Sequence, residues 1–561
     1  MMMRTRLNSR PAARNKGLAL VRSSVSGHAG GEAGASGKAG ASGKAVKRRL
    51  VGMAAGVARG GLSVLLAAGL VTSGCSTIDS VGDALTGGGP APGSPGYVSG
   101  FLGGVVADEP RAALVAREVL SAGGTAADAA VAAGFMLMVT YPSRASLGGG
   151  GACVAYDPDK ASVNGGVPEA VLFIPPPGGG TGARPAAVPM LARGLFALQA
   201  RYGRRPFDSL TVTAEEAARF GVPVSRAFAR DLAIVARPLA GDPASRAVFF
   251  QPNGQPLAEG MTLVQPDLGA TLSQLRVAGV GDLYVGALGR KFVAAAGQAG
   301  GGLTAAALRD GLPRLAPVLS VAAPGGDLAG FLPPPADGGL AAAAAFNVLM
   351  ASPDSLAAAQ DRALAVAASW RAQGGQGDPA ALLTGALPTG ALPAGNVAAG
   401  SLPALPASTG LVTLDRDGRV VSCAFSMNNL FGTGRIAPGT GVLLAASPAW
   451  MPPALLSAAV AWNPNLNAFH AAVAATGQEG APLAAADALA QALRARGRLV
   501  SAGGIAPANA PAPPAGGVVL RPAPEPGRAD VISCGGYLPS DTQSCGWSTD
   551  PRGAGLAIGS N

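Results

Sequence analysis

Apolar positions change period from one stretch of the chain to the next. Glu109 to Ser121 carries Ala113, Val115, Val119 and Leu120 at helical spacing and ends at Gly123-Gly124, which predicts a helix with a glycine stop. Thr125 and Asp128 have the spacing of a capping box, and the Ala-rich run from there to about Met138 predicts a helix buried all round. A glycine run, Gly148 to Gly151, leads into a predicted strand over 152–156. Residues 186–370 read mostly as helices broken at Gly and Pro, among them PMLARGLFALQARYG, VTAEEAARFG, PVSRAFARDLAIVA, VGALGRKFVAAAGQAGG and GLAAAAAFNVLMAS. From 373 to 407 the pattern decays into repeats such as LTGALPTGALPAG, and a structureless stretch that long inside a domain marks a functional loop. After it LVTL (411–414), the turn Asp415-Arg416-Asp417-Gly418 and RVVSCAFS (419–426) predict a β-hairpin. Small and apolar residues dominate both strands, as in a covered sheet.

The first 96 residues follow a different rule. Residues 1–52 mix Lys, Arg, Gly, Ala and Ser, and the repeat GASGKAGASGKA (34–45) has no apolar face to bury, so a disordered basic leader is expected. Residues 53–75 read as a signal segment: one basic residue, Arg59, then an apolar run from Leu62 to Val71, then small residues. Its uncharged stretch, 60–74, is shorter than the roughly 20 residues that a spanning helix needs. Thr72-Ser73-Gly74-Cys75 resembles a bacterial lipobox with Thr72 in place of the usual leucine. That implies a lipid-anchored protein at the periplasmic face of a bacterial membrane, with Cys75 as the modified mature N-terminus. The alternatives are a plain signal peptide or a buried helix. Because Met53 opens a complete signal by itself, residues 1–52 are expected to lie upstream of the true start. Residues 76–96, rich in Gly and Pro, form a tether.

Composition narrows the chemistry. Of 561 residues, 48% are hydrophobic, enough for a large core, while 13% are charged. The net charge of +10 sits in the leader, where twelve Lys and Arg stand against Glu32 alone within residues 1–59. A nucleic-acid binder needs its cations clustered on the folded face, so nucleic acid is not an expected partner. His28 and His470 are the only histidines, which excludes a His-rich metal site and leaves His470 as the one imidazole for a triad. Its context, NAFHAAVAA, reads as a packed strand residue. No metal or cofactor is expected. Five cysteines without CxxC spacing argue against zinc-ribbon or thioredoxin chemistry. Export permits disulfides: Cys534 and Cys545 flank a polar, turn-rich segment and are expected to bridge. Cys153 and Cys423 lie in apolar, strand-like runs and are expected to pack as small hydrophobes. Neither GALGR (286–290) nor the run 148–151 continues as Gly-Lys-Ser/Thr, so neither is a phosphate loop.

Five strings in order carry a family resemblance: GYVSGFLGGVVADEPRAALVAREVLSAGGTAADAAVAAGFMLMVTYPSRASLGGGGACVAYDP (96–158), RYGRRPFDSLTVTAEEAARFGVPVSRAFA (201–229), LPPPADGGLA (332–341), LVTLDRDGRVVSCAFSMNNLFGTGRIAPGTGVLL (411–444) and STDPRGAGLA (548–557). Together they resemble the γ-glutamyltransferase family, also called glutathione hydrolases. The resemblance implies an α+β fold, a four-layer αββα sandwich of the N-terminal-nucleophile hydrolase type. It further implies one chain that cuts itself into a large segment, 97–372, and a small segment, 408–561, separated by a flexible linker, 373–407. Each fragment would then have its own cleaved subunit as partner, and the substrate would be a small amide or peptide-like molecule. A freed α-amine with a pKa of about 7.7–8.0 can serve as base without any histidine.

Counting back from the hairpin Asp415, the family's nucleophilic threonine falls on Ser408, with Thr409 as the nucleophile if the count slips by one. The resemblance also puts a hydroxyl partner of the nucleophile at Ser426, a substrate-contacting asparagine at Asn428 and the two backbone donors of an oxyanion hole at Gly480 and Ala481. Other positions depart from the family. Its carboxylate-binding arginine becomes Ile174, its amine-binding acid becomes Trp450, and its paired serines map near Val460 and Ala461. Leaving a carboxylate unpaired in a partly desolvated pocket costs several kcal/mol, so glutathione is expected to be a poor substrate and a less polar acyl group to be preferred. Arg144 or Arg435 could supply a replacement cation, and Trp450 could floor an apolar pocket. A second class stands beside this one: a non-catalytic envelope protein that keeps the fold as a binding module, whose chain would stay intact.

Overall fold

The computed structural model describes residues 100–385, 387, 392, 402–495, 497–501 and 517–559. The basic leader, the signal segment with Cys75, the 76–96 tether and much of the linker lie outside the described residues. In chain order the principal elements are β1 (Gly103–Ala107), α1 (Pro110–Ser121), α2 (Ala126–Thr140), β2 (Gly150–Tyr156), β3 (Glu169–Phe173), α3 (Leu191–Tyr202), β4 (Arg314–Pro317), β5 (Leu319–Ala322), β6 (Leu328–Phe331), α4 (Asp337–Ala351), α5 (Leu356–Ala372), β7 (Pro406–Asp415), β8 (Val420–Asn429), β9 (Ser457–Asn463), β10 (Ala468–Thr476), α6 (Ala481–Arg494), β11 (Arg528–Leu538), β12 (Cys545–Ser548) and β13 (Leu556–Gly559). Shorter helices, including Val212–Phe220, Arg226–Leu239 and Ala287–Gln298, fill the stretch between α3 and β4.

Seven strands in the order β13-β1-β7-β8-β2-β3-β4 form one antiparallel sheet, and six in the order β12-β11-β10-β9-β6-β5 form the other. Between them lies a core that includes Val106, Val412 and Leu414 from the first sheet and Val460, Ala472 and Ile532 from the second. Small residues let the sheets come close: a Cβ placed on Gly410 would stand 2.9 Å from the Cβ of Ala474. The outer face of the first sheet is covered by α1, α2, α3 and the shorter helices, and that of the second by α4, α5 and α6. This is the expected αββα sandwich. Local rules account for its best-defined helix, since Thr125 accepts from the Asp128 amide, the Asp128 carboxylate accepts from the Thr125 amide, and every residue of α2 is buried.

Two expectations need correction. Cys153 and Cys423 do not pack as separate hydrophobes: they stand directly opposite each other on β2 and β8 and are joined by a disulfide. A polarity pattern cannot reveal that, because the two strands are brought together across a separation of 270 residues. The stretch 186–370 is mostly helical, as expected, with β4, β5 and β6 adding strands of four residues each, too short for an alternation to register. The end of the linker is not loose. Leu402 is buried, the Leu405 amide donates to Asn429 Oδ1 at 2.6 Å, Asn429 Nδ2 donates to the Pro403 carbonyl at 3.0 Å, and strand geometry begins at Pro406. Cys534 and Cys545 face each other on β11 and β12 and are bonded.

Candidate active site

The β7–β8 hairpin builds the site. Its ladder places Leu414 opposite Val420 and runs without interruption to Ser408 opposite Ser426 before an irregularity at Asn429. Both serines are buried. The Ser426 hydroxyl donates to the carbonyl oxygen of Ala407 at 2.7 Å, the carbonyl that precedes Ser408, while the Asn428 amide donates to Ser426 Oγ at 2.7 Å. Asn428 holds its own side chain by donating to the Ala446 carbonyl at 2.7 Å and adopts φ 63°, an uncommon left-handed conformation for a residue other than glycine. Among the described residues the Ser408 hydroxyl makes no hydrogen bond. The Thr409 hydroxyl donates to Asp108 Oδ2 at 3.1 Å, and the Gly410 amide donates to the same oxygen at 2.9 Å.

A cavity of about 320 Å³ opens beside Ala407, with Asp108, Tyr141, Arg144, Asp231 and Arg528 among the residues in its wall. Arg144 is fully engaged there. Its Nε and Nη2 grip Asp231 at 2.7 and 2.8 Å, and Nη1 donates to the Ser408 carbonyl at 3.0 Å. It is therefore bound to a local acid and to the backbone of the candidate nucleophile. Burial, the largest influence, raises the Asp108 carboxyl above its ordinary range against the opposing pull of Gly410, Arg144 and Thr409. Asp530 reaches the same region from β11; burial and then the Asp108 charge push it well above the usual carboxylate range.

Other expected site residues lie apart. The Gly480 and Ala481 amides are used inside a short turn, donating to the Gly477 and Gln478 carbonyls, and it is Gly477 and Gln478 that line the cavity. Trp450 is 42% exposed and outside the cavity wall, and Arg435 donates to the Ala299 carbonyl at 2.9 Å. Val460 and Ala461 sit fully buried within β9. His470 is buried and paired with Asp327 at 2.5 Å. The sequence reading missed Asp108, Tyr141, Asp231 and Asp530. For Asp108 a signal exists: in Asp108-Glu109-Pro110 the N-cap role is filled by Glu109, whose carboxylate accepts from the Ala112 amide at 3.0 Å, which leaves the preceding acid unexplained at the end of an apolar strand.

Two antiparallel sheets sandwiched between helical layers, with a hydroxyl residue at the head of a central strand, define the fold of an N-terminal-nucleophile hydrolase. The crystal structure of a cephalosporin acylase from Bacillus halodurans shares that fold, with a TM-score of 0.61 over 84% of this chain and 98% of that one at 18% identity. The family model for gamma-glutamyltranspeptidase matches residues 112–371. The chain is 29% identical over 387 residues to a glutathione hydrolase proenzyme of Pseudomonas sp. (strain A14), covering 61% of this chain and 66% of that protein. It is 30% identical over 262 residues to glutathione hydrolase 3 of Arabidopsis thaliana, covering 44% of this chain and 40% of that one. The aligned stretches thus span less than two thirds of either relative. Over these stretches the chain is similar to the γ-glutamyltranspeptidase family, from which it diverges elsewhere. These relatives are hydrolases by name, which lends no support to the non-catalytic alternative.

Proposed function

We propose that this protein is a self-cleaving amidohydrolase of the glutathione hydrolase type, acting through Ser408. The hydrogen bond from Ser426 to the Ala407 carbonyl oxygen carries the reading, because it joins a donor to the one carbonyl that Ser408 must attack. The Ser408 hydroxyl adds to the Ala407 carbonyl carbon, and negative charge grows on the oxygen that Ser426 holds. The C–N bond then breaks, the Ser408 nitrogen takes the proton as the leaving amine, and water hydrolyses the resulting ester. The freed amine becomes the base for the same hydroxyl in acyl transfer from a small amide. Thr409 is the alternative nucleophile, favoured by its bond to Asp108.

Reducing denaturing electrophoresis tests this. Purified protein should yield a small fragment of residues 408–561, and Ser408→Ala should abolish it. A chain that stays intact after full maturation would overturn the reading, and loss of cutting only in Thr409→Ala would move the nucleophile by one position. With Ile174, Trp450 and the Val460-Ala461 pair where the family holds its γ-glutamyl group, glutathione should be a poor substrate. Robust turnover of a γ-glutamyl anilide would contradict that specificity. The charged cavity wall favours a polar acyl group over the apolar one expected from sequence. Export and lipid anchoring at Cys75 belong to the same proposal; a mature N-terminus elsewhere, found by mass spectrometry, would remove them. Among the described residues no helix is long and apolar enough to cross a membrane.

A further inference from the structure

β7 is an inner strand, yet its first residues lack a strand on one side. β1 pairs with it from Gly103 opposite Asp415 to Ala107 opposite Leu411 and then ends. Beyond that point residues 408–410 keep β8 on one edge, and on the other only the Asp108 amide reaches them as backbone, donating to the Gly410 carbonyl at 3.3 Å. Side chains replace the absent strand: Asp108 Oδ2 takes the Gly410 amide and the Thr409 hydroxyl, and Arg144 donates to the Ser408 carbonyl. Both are themselves anchored. Glu109, next to Asp108, caps α1 and accepts from Thr140 Oγ1 at 2.8 Å, while Arg144 is clamped by Asp231, which also accepts from Ser143 Oγ at 2.8 Å.

We propose that Asp108, with Arg144, is the positioning device of the reaction, holding residues 408–410 in strand register while the Ala407–Ser408 bond is cut and after the cut has made Ser408 a free end. The inference rests on the self-cleavage reading. Its physical reason is that an intact chain ties Ser408 from both sides, whereas an opened one leaves it held by β8 and these two side chains alone. Charge-assisted bonds suit that task, being about twice as strong as neutral ones.

The ionised form of Asp108 holds both donors best, so its surroundings set the pH at which the device works. Arg144 and Arg528 favour that form; Tyr141 lies beside it, and Asp231 offsets Arg144 from the far side. Asp530 faces it from the second sheet, with Asp550 beyond, and burial and the Asp108 charge hold Asp530 toward its neutral form, so it adds little opposing charge. Asp530 Oδ1 accepts from the Thr549 hydroxyl at 2.8 Å, while its Oδ2 is buried with no partner among the described residues. Cutting should therefore slow as pH falls through the range in which Asp108 takes a proton. Removing the Arg528 charge should move that fall to higher pH.

The test is the rate of fragment appearance against pH for wild type, Asp108→Asn and Arg528→Gln, with far-ultraviolet circular dichroism to confirm folding. Asp108→Asn should cut at least tenfold more slowly and lose the acidic fall, and Arg528→Gln should keep the fall but shift it upward in pH. Asp108→Asn cutting within twofold of wild type with the fall intact would overturn the proposal. Should Asp108→Asn not fold, the Arg528→Gln profile decides, and an unshifted one counts against it. A small fragment beginning at Thr409 would also overturn it, because Asp108 would then act on the nucleophile itself. Wild type that never cuts would defeat the self-cleavage reading instead.

Discussion

Ser426→Ala is the sharpest perturbation of the site. The hydroxyl it removes donates to the Ala407 carbonyl at 2.7 Å and accepts from the Asn428 amide at 2.7 Å, and Ser426 is buried. Two effects should separate. In the intact chain, the Ala407 carbonyl and the Asn428 amide each lose a partner, and an unsatisfied buried group costs about 1–3 kcal/mol. In the cutting step, the donor faces an oxygen whose charge grows, and loss of one such donor typically costs about 10²–10³ in rate, or about 2.7–4 kcal/mol. The rate should therefore drop by more than stability alone suggests. The assay follows fragment appearance by reducing electrophoresis alongside a urea melt, for wild type, Ser426→Ala and Ser426→Thr. Threonine keeps the hydroxyl and should recover most of the rate. A Ser426→Ala protein that cuts as fast as wild type would refute the assignment of Ala407–Ser408 as the scissile bond.

Cys153 precedes the proposed cut and Cys423 follows it, so their disulfide should tie the two fragments together: one band without reductant and two with it, whereas two bands in both lanes would show the bridge is not formed. Burial raises Asp415 from 3.8 to about 6. The folded chain thus holds that proton more tightly than the unfolded one, a contribution fully present below the unfolded value and lost as pH climbs from about 4 through 6. It amounts to about 3 kcal/mol, so wild type should lose stability relative to Asp415→Asn across that window, and a pH-independent difference in urea midpoints would contradict the shift. Gly410→Ala would bring its Cβ to 2.9 Å from that of Ala474 on the facing sheet; overpacking of this kind costs about 1–3 kcal/mol, and an unchanged melting temperature would show that the sheets can part.

What the sequence revealed and what it hid divide along a physical line. Thr125 and Asp128 cap α2 through contacts three residues apart, so their pattern carries its meaning locally. The β7–β8 hairpin is local too, and its turn fixes more than itself. With Leu414 opposite Val420, six further steps up each strand bring Ser408 opposite Ser426, so counting from Asp415 was sufficient to find that pair. Gly480 and Ala481 rest instead on matching a family Gly-Gly pair, and residue identity does not state how their amides are used: both donate inside the turn that Gly477 opens at φ 114°. The Cys153–Cys423 bond and the Arg144–Asp231 grip depend on which strands and helices meet, and no periodicity encodes that. Asp108 lies between these cases. Its neighbour Glu109 satisfies the helix start, so the extra acid was visible as a surplus, but its purpose appears only once β1 is seen to end one residue too early to cover Gly410. The hydroxyls at the proposed cut are thus fixed by hairpin register, whereas the groups that hold and tune them come from elements more than 100 residues away, which is why the candidate nucleophile was easier to locate than its surroundings.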